Sequence, residues 1–130
     1  MNLGTLGQVI VDTEVTVEEE RVRQLARAIG TPTAMETALM VPFFGPTAAG
    51  QDSVVGPLDM DLRRALQGGQ SYEWHRPFRL GEKVRFTVTI EDILDKGSLQ
   101  LATVLAEFRS GAGELIQRQR TTFIERAAKQ

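Results

Sequence analysis

A single histidine, His75, limits the chemistry open to this chain. A Ser-His-Asp triad or a two-histidine metal site could form within one chain only around it. No second His, no Cys and no carboxylate cluster is spaced to complete a centre there, so no metal is expected. Arg76 follows directly, with Arg79 and Lys83 close behind. An arginine fork suits phosphate, although the plainer reading of His75 and Arg76 is a pair that closes a sheet edge before Pro77. The other isolated ionisable group is Glu36, in "AIGTPTAMET" (residues 28–37). It reads as an exposed acid on a short helix, as a polar group lining a pocket, or as a base whose pKa burial would have to tune. Asp59 and Asp61 stand at i, i+2, which a helix N-cap and a first-turn acid explain without metal.

Some element must position each of these groups. Val9, Val11, Thr13 and Val15 alternate with polar residues and predict a strand over 9–15. Thr16 and Glu19 form a capping box. Val22, Leu25, Ala26 and Ile29 then give one apolar face, so a helix is expected over about 17–29, stopped by Gly30. Pro32 holds its exit extended. "TAMETALM" allows two further turns of helix, and "VPFFGPTAAGQDSVVGP" reads as loop. Pro42, Phe43 and Phe44 in that loop are core filler or a substrate wall. "LDMDLRRALQGG" predicts a short helix, with Asp59 as N-cap, Leu62, Ala65 and Leu66 inward and Gly68 at its end.

Beyond that point the period changes to two. "QSYEW" is a strand ending near Trp74 or His75, with Tyr72 and Trp74 on one face suited to an interface or core. A bend at Pro77 and a turn at Gly81 follow. In "EKVRFTVTIEDI", Val84, Phe86, Val88 and Ile90 alternate with polar residues, as a half-buried antiparallel strand requires. "DKGS" is a hairpin turn around Gly97. "LQLATVLAEF", apolar on nearly both faces, is a central strand, and "SGAG" is the next turn. "ELIQRQRTTFIER", rich in polar residues, is expected nearer the exterior. A helical segment followed by an antiparallel meander predicts an α+β fold with a curved sheet wrapped on a helix.

The totals bound the function. The 130 residues suit one domain spanning 1–130, and 42% hydrophobic with 25% charged residues is ordinary for a soluble globular protein. A net charge of -2 gives no sign of a nucleic-acid binder. The absence of Cys excludes disulfides and thiolate catalysis and fits a cytoplasmic setting. No apolar run approaches the roughly 18 residues of a membrane span, and "MNLGTLGQVIVD" lacks the features of a signal peptide. Neither a Walker loop nor a Gly-x-Gly-x-x-Gly turn is present, and no cofactor is expected.

The stretches "ALQGGQSYEWHRPFRLGEKVRFTVTIEDILDKG" and "GELIQRQRTTFIER" resemble the MaoC-like dehydratases, in particular their N-terminal dehydratase domain. The resemblance covers about residues 65–126 closely and extends to "VTVEEERVRQLARAIG" and "VPFF". It implies a hotdog fold, acting on acyl-CoA or acyl-carrier-protein thioesters. Catalytic members carry an Asp, four intervening residues and a His after a helix-ending Gly. Here those places fall on Thr31 and Glu36. Thr31 cannot exchange a proton near neutral pH.

Many relatives pair a catalytic hotdog with one that lacks the two residues and shapes the acyl tunnel. The chain resembles the second kind, an accessory subunit of an (R)-specific hydratase or dehydratase, at least dimeric with itself or another hotdog. On that reading His75, Arg76 and Arg79 could meet the thioester's phosphopantetheine or phosphate groups, while Glu36, Pro42, Phe43 and Phe44 would line its site. A thioesterase using Glu36 as base or nucleophile, and a non-enzymatic acyl-CoA-binding or structural dimer, stay open.

Overall fold

The computed structural model describes residues 1–18, 20, 24, 27, 52–76, 78–79 and 81–127. Among them five strands form one antiparallel sheet: β1 (Val9–Thr16), β2 (Ala65–Trp74), β3 (Lys83–Asp95), β4 (Leu99–Arg109) and β5 (Leu115–Arg126). Their spatial order is β1-β3-β4-β5-β2. Two hairpins build its centre, β3–β4 and β4–β5, and each turns through a glycine in the left-handed region, Gly97 at φ 77° and Gly113 at φ 88°. β1 and β2 form the two edges. One short helix, α1 (Asp52–Leu58), precedes the sheet's last four strands.

The period-two pattern decides which face is inner. β3 turns Val84, Phe86, Val88 and Ile90 to one side, and β4 turns Ala102, Val104, Ala106 and Phe108 to the same side, all fully buried. Val54 and Leu58 of α1 belong to the same cluster. Each large side chain removed from water here contributes on the order of 1.5–3 kcal/mol. A chain of aromatic rings crosses this core. Phe86 stacks on Phe108 with centroids 4.9 Å apart, Phe108 meets Phe78 edge-on at 5.5 Å, and Phe78 meets Trp74 at 5.7 Å.

Three expectations are corrected. The helix expected from Asp59 to Gly68 is a single 3₁₀ turn, Leu62–Arg64, followed at once by β2. Local helix propensity loses there to the ladder that β5 offers from Ala65 to Trp74. Asp59 is no N-cap: at φ 52° it closes α1, and the Asp59 and Met60 N–H groups return to the Gly56 and Val55 carbonyls. The cap of the 3₁₀ turn is Asp61, whose carboxylate accepts from the Arg63 N–H at 3.0 Å. Leu62 and Leu66, expected inward, are about half exposed. Gly68 lies at a bulge in β2, where a Cβ would meet Ile124 Cδ1 at 2.5 Å.

The second correction is that residues 52–58, expected as loop, are helical despite Pro57 in the last turn. The third is that β5, expected near the exterior, is an interior strand paired on both sides, by β4 and β2. Of the helix expected over about 17–29, Val17 and Glu18 are not helical and Thr16, its expected cap, ends β1 paired with Lys83, whereas the described Glu20, Gln24 and Arg27 are helical. The remainder of it past Glu18 lies outside the described residues, as do Thr31, Glu36, Pro42, Phe43 and Phe44.

Candidate functional site

β5 lies between β4 and the free edge strand β2, and its inward residues are polar where those of β4 are not. Gln117, Gln119 and Thr121 are buried opposite Phe108, Ala106 and Val104 on one side and Trp74, Tyr72 and Gln70 on the other. The amides form a relay running inward from the edge. Gln67 Nε2 donates to Gln70 Oε1 at 2.6 Å, Gln70 Nε2 to Gln119 Oε1 at 3.3 Å, and Gln119 Nε2 to Gln117 Oε1 at 2.7 Å. Gln117 Nε2 and the Thr121 hydroxyl are buried with no hydrogen-bond partner among the described residues. Such orphan groups cost about 1–3 kcal/mol each. This row begins on an exposed edge and ends in a buried donor, a polar inner wall beside the apolar one of β4.

The carboxy-terminal end of β2 carries the sequence candidates His75, Arg76 and Arg79. The backbone N–H groups of His75 and Arg76 both reach Ile116 O, so β5 fixes where the strand stops. His75 is exposed, with Nε2 3.3 Å from Glu73 Oε2. That contact, backed by the Arg118 charge, holds the Glu73 carboxyl below its usual range. Arg76 is a clamp: Nη1 and Nη2 each donate to Glu82 at 2.9 Å, and Nε donates to Glu114 at 3.3 Å. Burial opposes ionisation of Glu82, but the Arg76 fork and the Arg79 N–H, 2.7 Å away, outweigh it and lower the carboxyl's pKa. The Arg79 side chain is exposed and forms no ion pair among the described residues. Arg76 therefore spends its donors on carboxylates, while His75 and Arg79 face solvent.

The opposite end of β2 holds a group that sequence spacing could not assemble. Arg63, Arg64 and Arg126 surround an open cavity of about 480 Å³ with Ala65, Leu66 and Ala127. Asp61 accepts from both Arg63 and Arg64 at 3.0–3.2 Å, which holds its carboxyl far below the usual range. Arg64 Nη1 also donates to Arg126 O at 2.9 Å. A smaller apolar groove, about 200 Å³, lies alongside between α1 and the sheet and shares Ala65 and Leu66 with it. Arg126 lies 62 residues from Arg64 in sequence, and the β2–β5 register brings them together.

Among the described residues no cluster of His, Cys, Asp and Glu could hold a metal ion. Nor is any helix among them long and apolar enough to cross a membrane.

A family model described as the FAS1-like dehydratase domain region matches residues 5–119. A UPF0336 protein of Streptomyces avermitilis is 30% identical over 130 residues, covering 88% of this chain and 87% of its own. A MaoC-like dehydratase from Phytophthora capsici has the same fold, at TM-score 0.73 and 19% identity over all of this chain, which spans 51% of that protein's length. A chain of the truncated HadBC (3R-hydroxyacyl-ACP dehydratase) complex from Mycobacterium tuberculosis superposes at TM-score 0.70 and 16% identity, over 95% of this chain and 99% of its own.

Proposed function

Because the chain belongs to the FAS1-like dehydratase-domain family of MaoC-like hotdog proteins, we propose that it is a non-catalytic, accessory hotdog subunit. With a partner hotdog it would shape the acyl-CoA or acyl-carrier-protein site of an (R)-specific enoyl-thioester hydratase or 3-hydroxyacyl-thioester dehydratase. The observation that carries this reading is the polar inner wall of β5 and β2. A sheet built only for stability would continue the apolar packing of β3 and β4 across β5. Instead it buries Gln117, Gln119 and Thr121 and leaves two of their polar atoms without partners.

The proton chemistry is what this chain lacks. The family's Asp and His places fall on Thr31 and Glu36, and the one imidazole, His75, is exposed beyond the edge strand against Glu73. A hydration step needs a group that takes and returns a proton within hydrogen-bond reach of the substrate, so the partner would supply it. β2 offers that partner an edge of ten residues, with Tyr72 and Trp74 partly exposed along it. Unpaired strand N–H and C=O groups are a template for association, and HadBC is itself a complex of such chains.

The test is co-expression with a hotdog chain that carries the Asp-x4-His pair, followed by co-purification and a hydration assay on an enoyl-CoA. The pair is expected to be active and this chain alone inert. Robust hydration by this chain alone, abolished by Glu36→Ala and indifferent to the partner, would overturn the reading.

A further inference from the structure

The arginine cavity at the start of β2 lies at the opposite end of that strand from His75, and its chemistry is specific. Three guanidinium groups, Arg63, Arg64 and Arg126, line it. Among the described residues Asp61 is the one carboxylate that meets two of them, and its charge is shared between both. Glu125, the other nearby acid, is buried and accepts the Asp61 N–H at 2.6 Å. The cavity mouth is therefore a site of net positive charge, and arginine forks bind phosphate oxygens in pairs. Arg63 keeps 90% of its side chain in solvent, so it can turn toward a ligand without leaving a packed position. The adjoining groove is lined by Val54, Val55, Met60, Leu62 and Phe123, with Gln67 its one polar residue. A ligand spanning both would carry phosphate at one end and an apolar segment directly beside it.

We propose that this cavity is a phosphate subsite for the arm of an acyl thioester. Arg63, Arg64 and Arg126 would take the phosphate attached to pantetheine, and the groove would take the gem-dimethyl segment next to that phosphate. This rests on the proposed function and adds to it where the non-reacting end of the substrate is held. The same phosphate occurs in coenzyme A and on a carrier protein's phosphopantetheine arm, and the probes separate the two sources.

The experiment is calorimetric titration of the full chain with crotonyl-pantetheine, crotonyl-4′-phosphopantetheine and crotonyl-CoA at two salt concentrations, on wild type and on Arg63→Gln/Arg126→Gln. Both replaced residues have exposed side chains, and a charge reversal, Arg126→Glu, checks that any loss is electrostatic. The phosphorylated probes are expected to bind about tenfold or more tighter than crotonyl-pantetheine, as charge-assisted contacts imply. The double variant and added salt should both erase that advantage. Phosphopantetheine binding as tightly as CoA would assign the subsite to the phosphate both handles share, and tighter CoA binding would extend it to the nucleotide. Equal binding of all three probes, or a double variant that binds like wild type, would overturn the subsite and leave the proposed function standing. Binding of none would overturn the subsite, and the hydration assay with the partner would then decide the broader reading.

Discussion

On β4 the inward residues are Ala102, Val104, Ala106 and Phe108; on β5 their register partners are Phe123, Thr121, Gln119 and Gln117. Both strands are interior and both rows lose water almost completely from Val104 to Phe108 and from Gln117 to Thr121. Burial stabilises the first row directly, because its atoms have nothing to lose by leaving water. The second row must replace the hydrogen bonds it gives up, and it does so through the glutamine relay, which still leaves Gln117 Nε2 and Thr121 Oγ1 unpaired. One half of the sheet is thus optimised for packing. The other gives up stability wherever it buries a polar atom that finds no partner among the described residues.

The largest expected effect lies in the apolar half. Phe108 stacks on Phe86 and meets Phe78 edge-on, so Phe108→Ala removes the middle ring of three. A loss of about 3–5 kcal/mol in urea unfolding is expected. A cost under about 1 kcal/mol would show that the two halves do not differ in this way.

The next test concerns the segment that joins the halves, from the end of β2 to the start of β3. Glu82 holds Arg76 by two bonds, with only 17% of either side chain exposed. Glu82→Gln leaves the guanidinium half-paired and should cost about 2 kcal/mol. The pH dependence follows from the sign of the shift. The folded carboxyl titrates below its ordinary 4.5, so its contribution is complete above that value and is lost as pH falls through the lowered one. Wild type should therefore lose stability below about pH 4.5 more steeply than Glu82→Gln. Parallel acid limbs would show that the pair contributes nothing to folding.

A smaller effect is expected at the edge. Gly68→Ala puts a Cβ 2.5 Å from Ile124 Cδ1, the end of a partly exposed side chain that can turn away. A destabilisation of about 1–2 kcal/mol follows. An unchanged melting temperature would mean the bulge relaxes without cost.

How far the sequence reveals this fold differs between the same two halves. The β3 row is legible because alternation of Val, Phe and Ile with polar residues has one reading, and β4 because a run apolar on nearly both faces suits a central strand. Gly97 and Gly113 mark their turns because only a glycine enters the left-handed region freely. β5 is not legible for a physical reason: composition reports polarity, which predicts exposure, whereas a relay of amides lets polar side chains be buried. The stretch from Leu62 to Gly68 misled because local helix signals lose to nine register partners on β5. His75, Arg76 and Arg79 were found as a sequence cluster. The clamp of Arg76 on Glu82 and Glu114, and the meeting of Arg64 with Arg126, depend on the fold and are not legible in spacing.

The last prediction reverses sign, and that makes it the sharpest test of the comparison. Thr121 lies opposite Val104, and its hydroxyl is buried without a partner. Thr121→Val keeps the shape and removes the orphan group, so thermal unfolding should show a gain of about 1 kcal/mol. A loss would mean that the hydroxyl has a hydrogen bond after all and that β5 is an ordinary satisfied core strand. A gain alone would show only that the residue is not there for stability. A gain in stability together with weaker binding of crotonyl-CoA by the assembled pair would show that the chain gives up packing on β5 to keep a polar contact with its ligand. Stabilised protein with unchanged binding would remove Thr121 from the site, and the case for the polar wall would then rest on Gln117 and Gln119.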